Sequence, residues 1–192
     1  LGTTANPAED VANDKGDFCF VTGNGGGSAG FDDIDNGVTT LSSPMADISS
    51  YNDPYVSFSW WFFTGGGGGI STFDDTLVIS ISDGTITTDI LRVDGSSGLQ
   101  AQWNKAVFRI QDYVNLSSEF SLIAECSDIT GNGHIVEAGF DAFEIFDSSD
   151  CNAPVALSHT ILNSSEVRLE WNMVAGAEQY LLRGKEINEV VF

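Results

Sequence analysis

Hydrophobic and polar residues alternate along this chain in short runs, which is the period of β-strands. Eight such runs lie before residue 147, and no window of 11 residues there repeats its apolar positions every 3.6 residues, as a helix would. They span residues 18–22, 38–42, 55–63, 75–82, 85–93, 105–110, 119–126 and 136–146. Gly, Asn, Asp and Pro separate them, and Ser82-Asp83-Gly84 predicts a tight hairpin. Eight strands without helices predict an all-β fold, a two-sheet antiparallel sandwich.

Two of these runs have one apolar face each, which predicts strands with one buried and one solvated side. The apolar residues are Leu77, Ile79 and Ile81 in the first run and Phe120, Leu122, Ala124 and Cys126 in the second. The run 55–63 (YVSFSWWFF) is apolar on both faces. We therefore expect it to be a central strand whose second face is covered by a loop.

The pattern changes after residue 147. Residues 148–154 (SSDCNAP) have the composition of a linker, and in the following segment Val167, Leu169 and Trp171 alternate with Arg168 and Glu170. The prediction is a first domain over 1–147, a linker over 148–154 and a second all-β segment over 155–192.

Charge narrows the classes of partner. The 192 residues contain 28 acids against seven Lys and Arg, a formal charge of −21, and the acids are spread along the whole chain. Nucleic acids and anionic membrane surfaces attract positive charge, so neither is an expected partner. Cations, neutral sugars and basic proteins remain as possible classes of partner. No run approaches the roughly 18 apolar residues of a membrane span, so membrane insertion is not expected.

Several segments of the first domain resemble the MAM domain and, more closely, the jelly-roll modules of secreted bacterial metallocarboxypeptidases and other exported enzymes. The matching segments are PAED at 7–10, CFVTGNGGGSAG at 19–30, DIDNGVTTLSSP at 33–44, YVSFSWWF at 55–62, WNKAVFRIQDYV at 103–114 and GNGHIVEAGFDAFEI at 131–145. The resemblance implies a jelly roll over 1–147. Such modules have strands upstream of the PAED-like segment, so it also implies that Leu1 lies within the domain.

The second segment resembles the first half of a fibronectin type III module, with a proline entry, a strand ending in a core Trp and a following strand that opens with Tyr180. This pairing of modules is similar to the multidomain exported proteins of Bacteroidetes, many of which use type IX secretion. The resemblance therefore implies a secreted or cell-surface protein.

Two catalytic patterns match inside one glycine-rich run and are both rejected. Gly25, Gly27 and Gly30 fit GxGxxG, and Gly26, Ser28 and Gly30 fit GxSxG. Each pattern needs a helix after the loop, whereas FDDIDNGVTT brings three acids and the start of a strand. The only histidines, His134 and His159, have no metal-ligand neighbour at helical spacing, so neither a catalytic Ser28 nor a zinc site is expected. The glycines are expected to permit positive φ in a loop.

The aspartates near this run are better candidates for a functional site than its glycines and serine. Asp32, Asp33 and Asp35, followed by Asn36 and Gly37, alternate hard oxygen ligands before a turn, which suits Ca²⁺. By resemblance, a structural Ca²⁺ would be held by Asp10 and Asp35 together with Asp141, and Asp33 is a further candidate ligand. Related modules have two adjacent aspartates near the last strand, whereas here Ala142 follows Asp141. Solvated loop acids are the alternative.

Two other features stay open. Cys19, Cys126 and Cys151 form no metal motif or disulfide framework, and Cys19 and Cys126 either pair or lie in the core. Aromatic residues offer either a stacking platform for a polysaccharide or ordinary core packing. They are Tyr51, Tyr55, Trp60, Trp61 and Trp103.

Taken with the resemblance, these features predict a non-catalytic, secreted adhesion or accessory module stabilised by calcium. Its expected partners are the other domains of the same exported protein, a polysaccharide or a cell-surface protein. One alternative is the appendage of an exported hydrolase such as a zinc carboxypeptidase. The other is an independent glycan-binding module.

Overall fold

The computed structural model describes two compact units, Leu1–Ser148 and Ser149–Phe192. The described residues are 5–7, 9–12, 14–23, 28–66, 75–97, 101–128, 135–148, 157–163 and 166–172. Statements about each unit refer to these residues.

The first unit contains eight strands in two antiparallel sheets. The strands are β1 (Phe20–Val21), β2 (Gly37–Ser42), β3 (Pro54–Gly65), β4 (Thr76–Ser82), β5 (Thr87–Asp94), β6 (Asn104–Arg109), β7 (Ser121–Asp128) and β8 (Ile135–Asp147). Sheet I has the order β1-β8-β3-β6, and sheet II has the order β2-β7-β4-β5. The predicted all-β, antiparallel, sandwich-like class is confirmed.

Apolar side chains from both sheets form one core. In sheet I, Val56, Phe58 and Phe62 of β3 are buried, and Phe58 stacks on Phe140 of β8 with ring centroids 5.4 Å apart. In sheet II the predicted inward faces of β4 and β7 are confirmed, because all seven named apolar residues are buried. The opposite face of β4 is less solvated than predicted, because Ser80 is buried as well. Period two therefore identified the inward faces correctly.

The run predicted to be central is β3. It lies between β8 and β6 and is buried on both faces, since Trp60 points into the core while Trp61, on the other face, is also buried. This second side of sheet I, which carries Trp61 and its neighbours on β8, is called the outer face below. A segment before β1 lies against it.

Three predicted strands begin two residues later than expected; one of them is β7, which begins at Ser121 rather than residue 119. The predicted strand 18–22 is reduced to β1, which pairs only Phe20 with Phe140 and Val21 with Gly139. Phe18 is 90% exposed and lies outside this pairing. β5 begins at Thr87 rather than residue 85, because the Asp83 carboxylate accepts the amides of Thr85 and Ile86 and holds them in the turn.

The second unit contributes one antiparallel hairpin, β9 (Ser158–Asn163) with β10 (Glu166–Glu170). Val167 and Leu169 of β10 are exposed. Tyr180, on which the fibronectin-type prediction also rests, lies outside the described residues, so that identification stays a prediction.

Candidate functional site

The described residues before β1 cross the outer face of sheet I; we call residues 5–7, 9–12 and 14–18 the strap. Ala5 is fully buried, and the Asn6 side-chain amide donates to Glu137 Oε2 of β8 at 3.0 Å. Farther along, the Glu9 carbonyl accepts a hydrogen bond from Trp103 Nε1 at 2.9 Å. The strap is thus attached to sheet I by side chains rather than by a strand ladder.

Three carboxylates meet where the strap passes over β8. One oxygen from each of Asp10, Asp14 and Asp141 lies within 4.8 Å of the other two. Asp10 and Asp14 belong to the strap, whereas Asp141 is on β8 opposite Ser59. The next residue, Ala142, has a φ of 50° at an irregularity in the pairing of β8 with β3. We call these three aspartates the acidic cluster.

The acidic cluster has no counter-charge among the described residues. Asp10 Oδ1 accepts the Val11 amide at 2.9 Å and Asp14 Oδ2 accepts the Gly16 amide at 3.3 Å. Oδ2 of Asp10 and Oδ2 of Asp141 are buried and accept no hydrogen bond from any described residue. Buried carboxylate oxygens without donors are costly, so this arrangement suits a cation between them.

The electrostatics of Asp141 reflect this crowding. Burial and the adjoining carboxylates of Asp10 and Asp14 raise the pKa of Asp141 to about 6, although a hydrogen bond from the Ala142 amide opposes the shift. Burial, Asp10 and Asp141 likewise raise the pKa of the neighbouring Cys19 thiol. Like charges at short range disfavour ionisation, and a bound cation would reverse that effect.

Of the four aspartates predicted as ligands, the structure brings two together. Asp10 and Asp141 are in the acidic cluster, whereas Asp33 Oδ2 accepts the Val136 amide at 3.3 Å near the start of β8. Asp35 is exposed on the same approach to β2. Val136 and Asp141 are five residues apart on one strand, a separation of roughly 16 Å at 3.3 Å per residue. Asp33 and Asp35 therefore do not join Asp10 and Asp141.

The third member, Asp14, was not predicted from the sequence. The sequence around Asp14 gives only a weak indication of a site. Asp14 stands two residues before Gly16 in a loop, and its carboxylate accepts the Gly16 amide. Nothing in that pattern shows that the loop crosses β8, because the crossing depends on contacts with Glu137 and Trp103, residues that are distant in the sequence.

Other buried acids have hydrogen-bond partners, but Oδ1 of Asp75 and Oδ1 of Asp128 are buried and accept no hydrogen bond from a described residue, as is the case for Oδ2 of Asp10 and of Asp141. Asp75 Oδ2 accepts from Thr64 Oγ1 at 2.8 Å, and Asp128 Oδ2 accepts the Asn36 amide at 3.4 Å. Glu137 is only 1% exposed and accepts from Asn6; burial raises its pKa and this hydrogen bond opposes the shift. These groups are integrated into the fold.

The glycine-rich run forms neither of the two catalytic motifs in its described part. Ser28 and Gly30 lie in a turn closed by the Phe31 amide on the Ser28 carbonyl, and the chain continues into β2 without a helix. Gly25, Gly26 and Gly27 lie outside the described residues, as does His134. His159 is exposed in β9 of the second unit.

The aromatic residues divide between burial and partial exposure. Tyr55, Trp60 and Trp61 are buried, which confirms core or interlayer packing for them. Trp103 packs edge-on against Trp61 with ring centroids 6.5 Å apart and is partly buried, as is Tyr51. The described surface therefore does not present the five aromatic residues as one platform.

Neither a protein-family model nor a curated protein matches this chain. Among the described residues, no helix has the length and apolar character needed to cross a membrane.

Proposed function

We propose that the first unit is a non-catalytic accessory or adhesion module of a larger exported protein, stabilised by a structural Ca²⁺ at the acidic cluster. The observation that carries the proposal is the pair of buried Oδ2 atoms on Asp10 and Asp141, which lack donors and lie beside Asp14 without a counter-charge. In this role the cation would join the strap to β8, and its absence would leave three like charges in contact.

The donor set favours calcium over zinc. All three side chains offer carboxylate oxygens, the ligands of hard cations, and Ca²⁺ accepts irregular sets completed by backbone carbonyls and water. Zinc sites are usually built from His and Cys in tetrahedral geometry. Extracellular calcium modules commonly bind at about 10⁻⁴ to 10⁻³ M, which is consistent with a secreted or cell-surface setting.

The accessory role is supported by the all-β architecture and the acidic surface. A formal charge of −21 disfavours nucleic acid and anionic membranes as partners. Such a module is suited to contacts with the other domains of the same protein, with a polysaccharide or with a basic cell-surface protein.

The test is thermal unfolding of the full chain in EDTA and in Ca²⁺. With about 10 mM Ca²⁺ and a Kd of about 10⁻⁴ to 10⁻³ M, binding to the folded state adds about 1.4 to 2.7 kcal/mol. For a domain of this size the melting temperature should rise by about 3 to 10 °C. No rise would contradict the structural cation.

Two variants locate the site. Asp141→Asn should abolish most of the calcium-induced rise, whereas Asp35→Asn, which changes an exposed acid outside the acidic cluster, should retain it. In EDTA, Asp141→Asn should melt above the wild type, because it removes one of three facing charges. The opposite pattern, with the rise lost only in Asp35→Asn, would move the site to the turn before β2.

A further inference from the structure

We infer that one edge of sheet I, formed by residues 15–23 and 28–35, binds an extended basic segment of a partner protein. We call these residues the β1 margin. The inference rests on the accessory role in the proposed function, for which it names the kind of partner, and it does not depend on the cation.

The first support is the exposure of aromatic side chains on the β1 margin. Phe18 is 90% exposed, Phe31 is 84% exposed and Phe20 is 64% exposed. Phe20 pairs directly with Phe140, which stacks on Phe58 in the core. Directly paired residues share one face of a sheet, so Phe20 extends this aromatic row to the surface. Large exposed apolar groups that lie together mark interaction sites in soluble proteins.

The three phenylalanines belong to one edge of sheet I, because β1 and the loop after it both run along β8. The Thr22 amide donates to the Ala138 carbonyl at 3.0 Å, and the Ile34 amide donates to the Val136 carbonyl at 3.1 Å. Phe31 lies shortly before the second of these bonds, and the other two phenylalanines lie shortly before the first.

The second support is the free edge of β1, which is the outermost strand of sheet I. Inward and outward amides alternate along an antiparallel strand, so the Val21 amide points away from β8 where the Thr22 amide bonds to it. No strand among the described residues pairs with this outward edge. An edge of this kind accepts an extended segment as an additional strand, through main-chain hydrogen bonds.

The third support is the charge of the β1 margin, which selects the partner. The margin contains one base, Lys15, whose Nζ lies 4.0 Å from Glu144 Oε1 of β8. Its acids are Asp17, Asp32, Asp33 and Asp35. A second copy of this chain would bring a further formal charge of −21 toward them, so self-association is disfavoured. A partner segment that combines Lys or Arg with apolar side chains complements both the charge and the aromatic residues.

Binding of two synthetic peptides to the full chain tests this inference. One is a capped peptide of about eight residues that alternates Lys with Val, which is the length and pattern of a strand, and the other has Glu in place of each Lys. In fluorescence anisotropy the Lys peptide should bind and the Glu peptide should not, and added salt should weaken the binding by screening the charges. In the complex, NMR should show slower hydrogen exchange of the Val21 amide, because that amide bonds to the added strand.

Two variants locate the surface. The double variant Phe18→Ser, Phe20→Ser should bind the Lys peptide about tenfold more weakly, because it removes the aromatic anchors of the contact. Met45→Ser changes an apolar residue that is 73% exposed outside the β1 margin, so it should bind like the wild type. Both variants should melt within about 2 °C of the wild type, because the replaced side chains are exposed.

Failure of this inference is distinguishable from failure of the proposed function. Absence of binding, equal binding of the two peptides, or full binding by the double variant overturns the docking surface; the structural cation still stands if calcium raises the melting temperature. Self-association in sedimentation that the double variant loses would assign the β1 margin to a second copy, which also overturns the inference. Selective binding of the Lys peptide at Val21, weakened in the double variant, supports it whether or not calcium stabilises the fold.

Discussion

Gly139 of β8 lies directly opposite Trp61 of β3, so close that a Cβ atom on residue 139 would overlap the indole ring at Nε1. Gly139→Ala should therefore destabilise the first unit by about 1 to 3 kcal/mol, the usual cost of forcing extra atoms into a packed site. Urea unfolding followed by tryptophan fluorescence measures the loss.

Gly37→Ala is the matched control for that change. Gly37 is also in a strand, and a Cβ there would be 3.7 Å from the Asp35 carbonyl oxygen, an ordinary contact. Its effect should stay within about 0.5 kcal/mol. Equal losses at the two positions would show that the indole contact at Gly139 is not the cause.

Asp147, at the end of β8, fastens the loop that enters β3. Its carboxylate accepts the Asn52 amide at 2.6 Å and the Asp53 amide at 3.0 Å. Asp147→Asn should lower the free energy of unfolding by about 2 to 3 kcal/mol, because bonds to a charged acceptor are lost in a buried site. Chemical denaturation at neutral pH is the measurement.

The control for Asp147→Asn is Asp112→Asn. This variant removes the exposed ion pair between Asp112 Oδ1 and Arg109 Nη1, which are 2.9 Å apart. A surface ion pair of this kind contributes less than about 1 kcal/mol. If the two variants lost the same stability, the hydrogen bonds of Asp147 to the loop amides would not have the role assigned to them.

The sequence predicted the strands well where burial alternates. In β4, packing against the core selects every second residue, so Leu77, Ile79 and Ile81 mark both the strand and its inward face. The same logic fails for β1. The pattern FCFVT continues through Phe18, yet pairing stops at Phe20, and Cys19 lies beside Asp10 and Asp141 instead of continuing the ladder. The alternation of apolar and polar residues along the sequence cannot show where contacts with a neighbouring segment end a strand.

The acidic cluster was harder to predict for a related reason. The family resemblance predicted Asp10 and Asp141 as ligands. Whether Asp14 or Asp35 is the third member of the acidic cluster depends on where two loops cross β8. The Ile34 amide bonds to the Val136 carbonyl at 3.1 Å and fixes the loop of Asp35 to the start of β8. The strap, held by Glu137 and Trp103, brings Asp14 to the other position. These are tertiary contacts with no local sequence signal.

The cysteines should react separately rather than as a pair. Both are free thiols; Cys126 is 3% exposed in the core, and burial strongly raises its pKa, whereas Cys19 is only partly buried beside Asp10. In a Cys151→Ser background, a thiol reagent should label Cys19 slowly in the native protein and Cys126 only after unfolding. A native protein with no reactive thiol before reduction, and two afterwards, would indicate a disulfide instead.

Asp83 should make stability depend on pH in the acid range. Its carboxylate accepts the amides of Thr85 and Ile86, and the backbone and side-chain amides of Asn115 also donate to it; these bonds lower its pKa to about 2. Because the folded pKa lies below the unfolded value of about 3.9, the ionised group stabilises the fold above about pH 4. That contribution is lost as the pH falls from about 4 to about 2.

The measurement for Asp83 is the melting temperature of the wild type and of Asp83→Asn between pH 7 and pH 2.5. The variant should melt lower at pH 7, and the gap should narrow as the wild-type carboxylate becomes protonated. Asn115→Ala, which removes one of the donors, should melt below the wild type at pH 7 and lose less on acidification. A gap between wild type and Asp83→Asn that stays constant down to pH 2.5 would mean that the ionised form of Asp83 does not stabilise the β4–β5 turn.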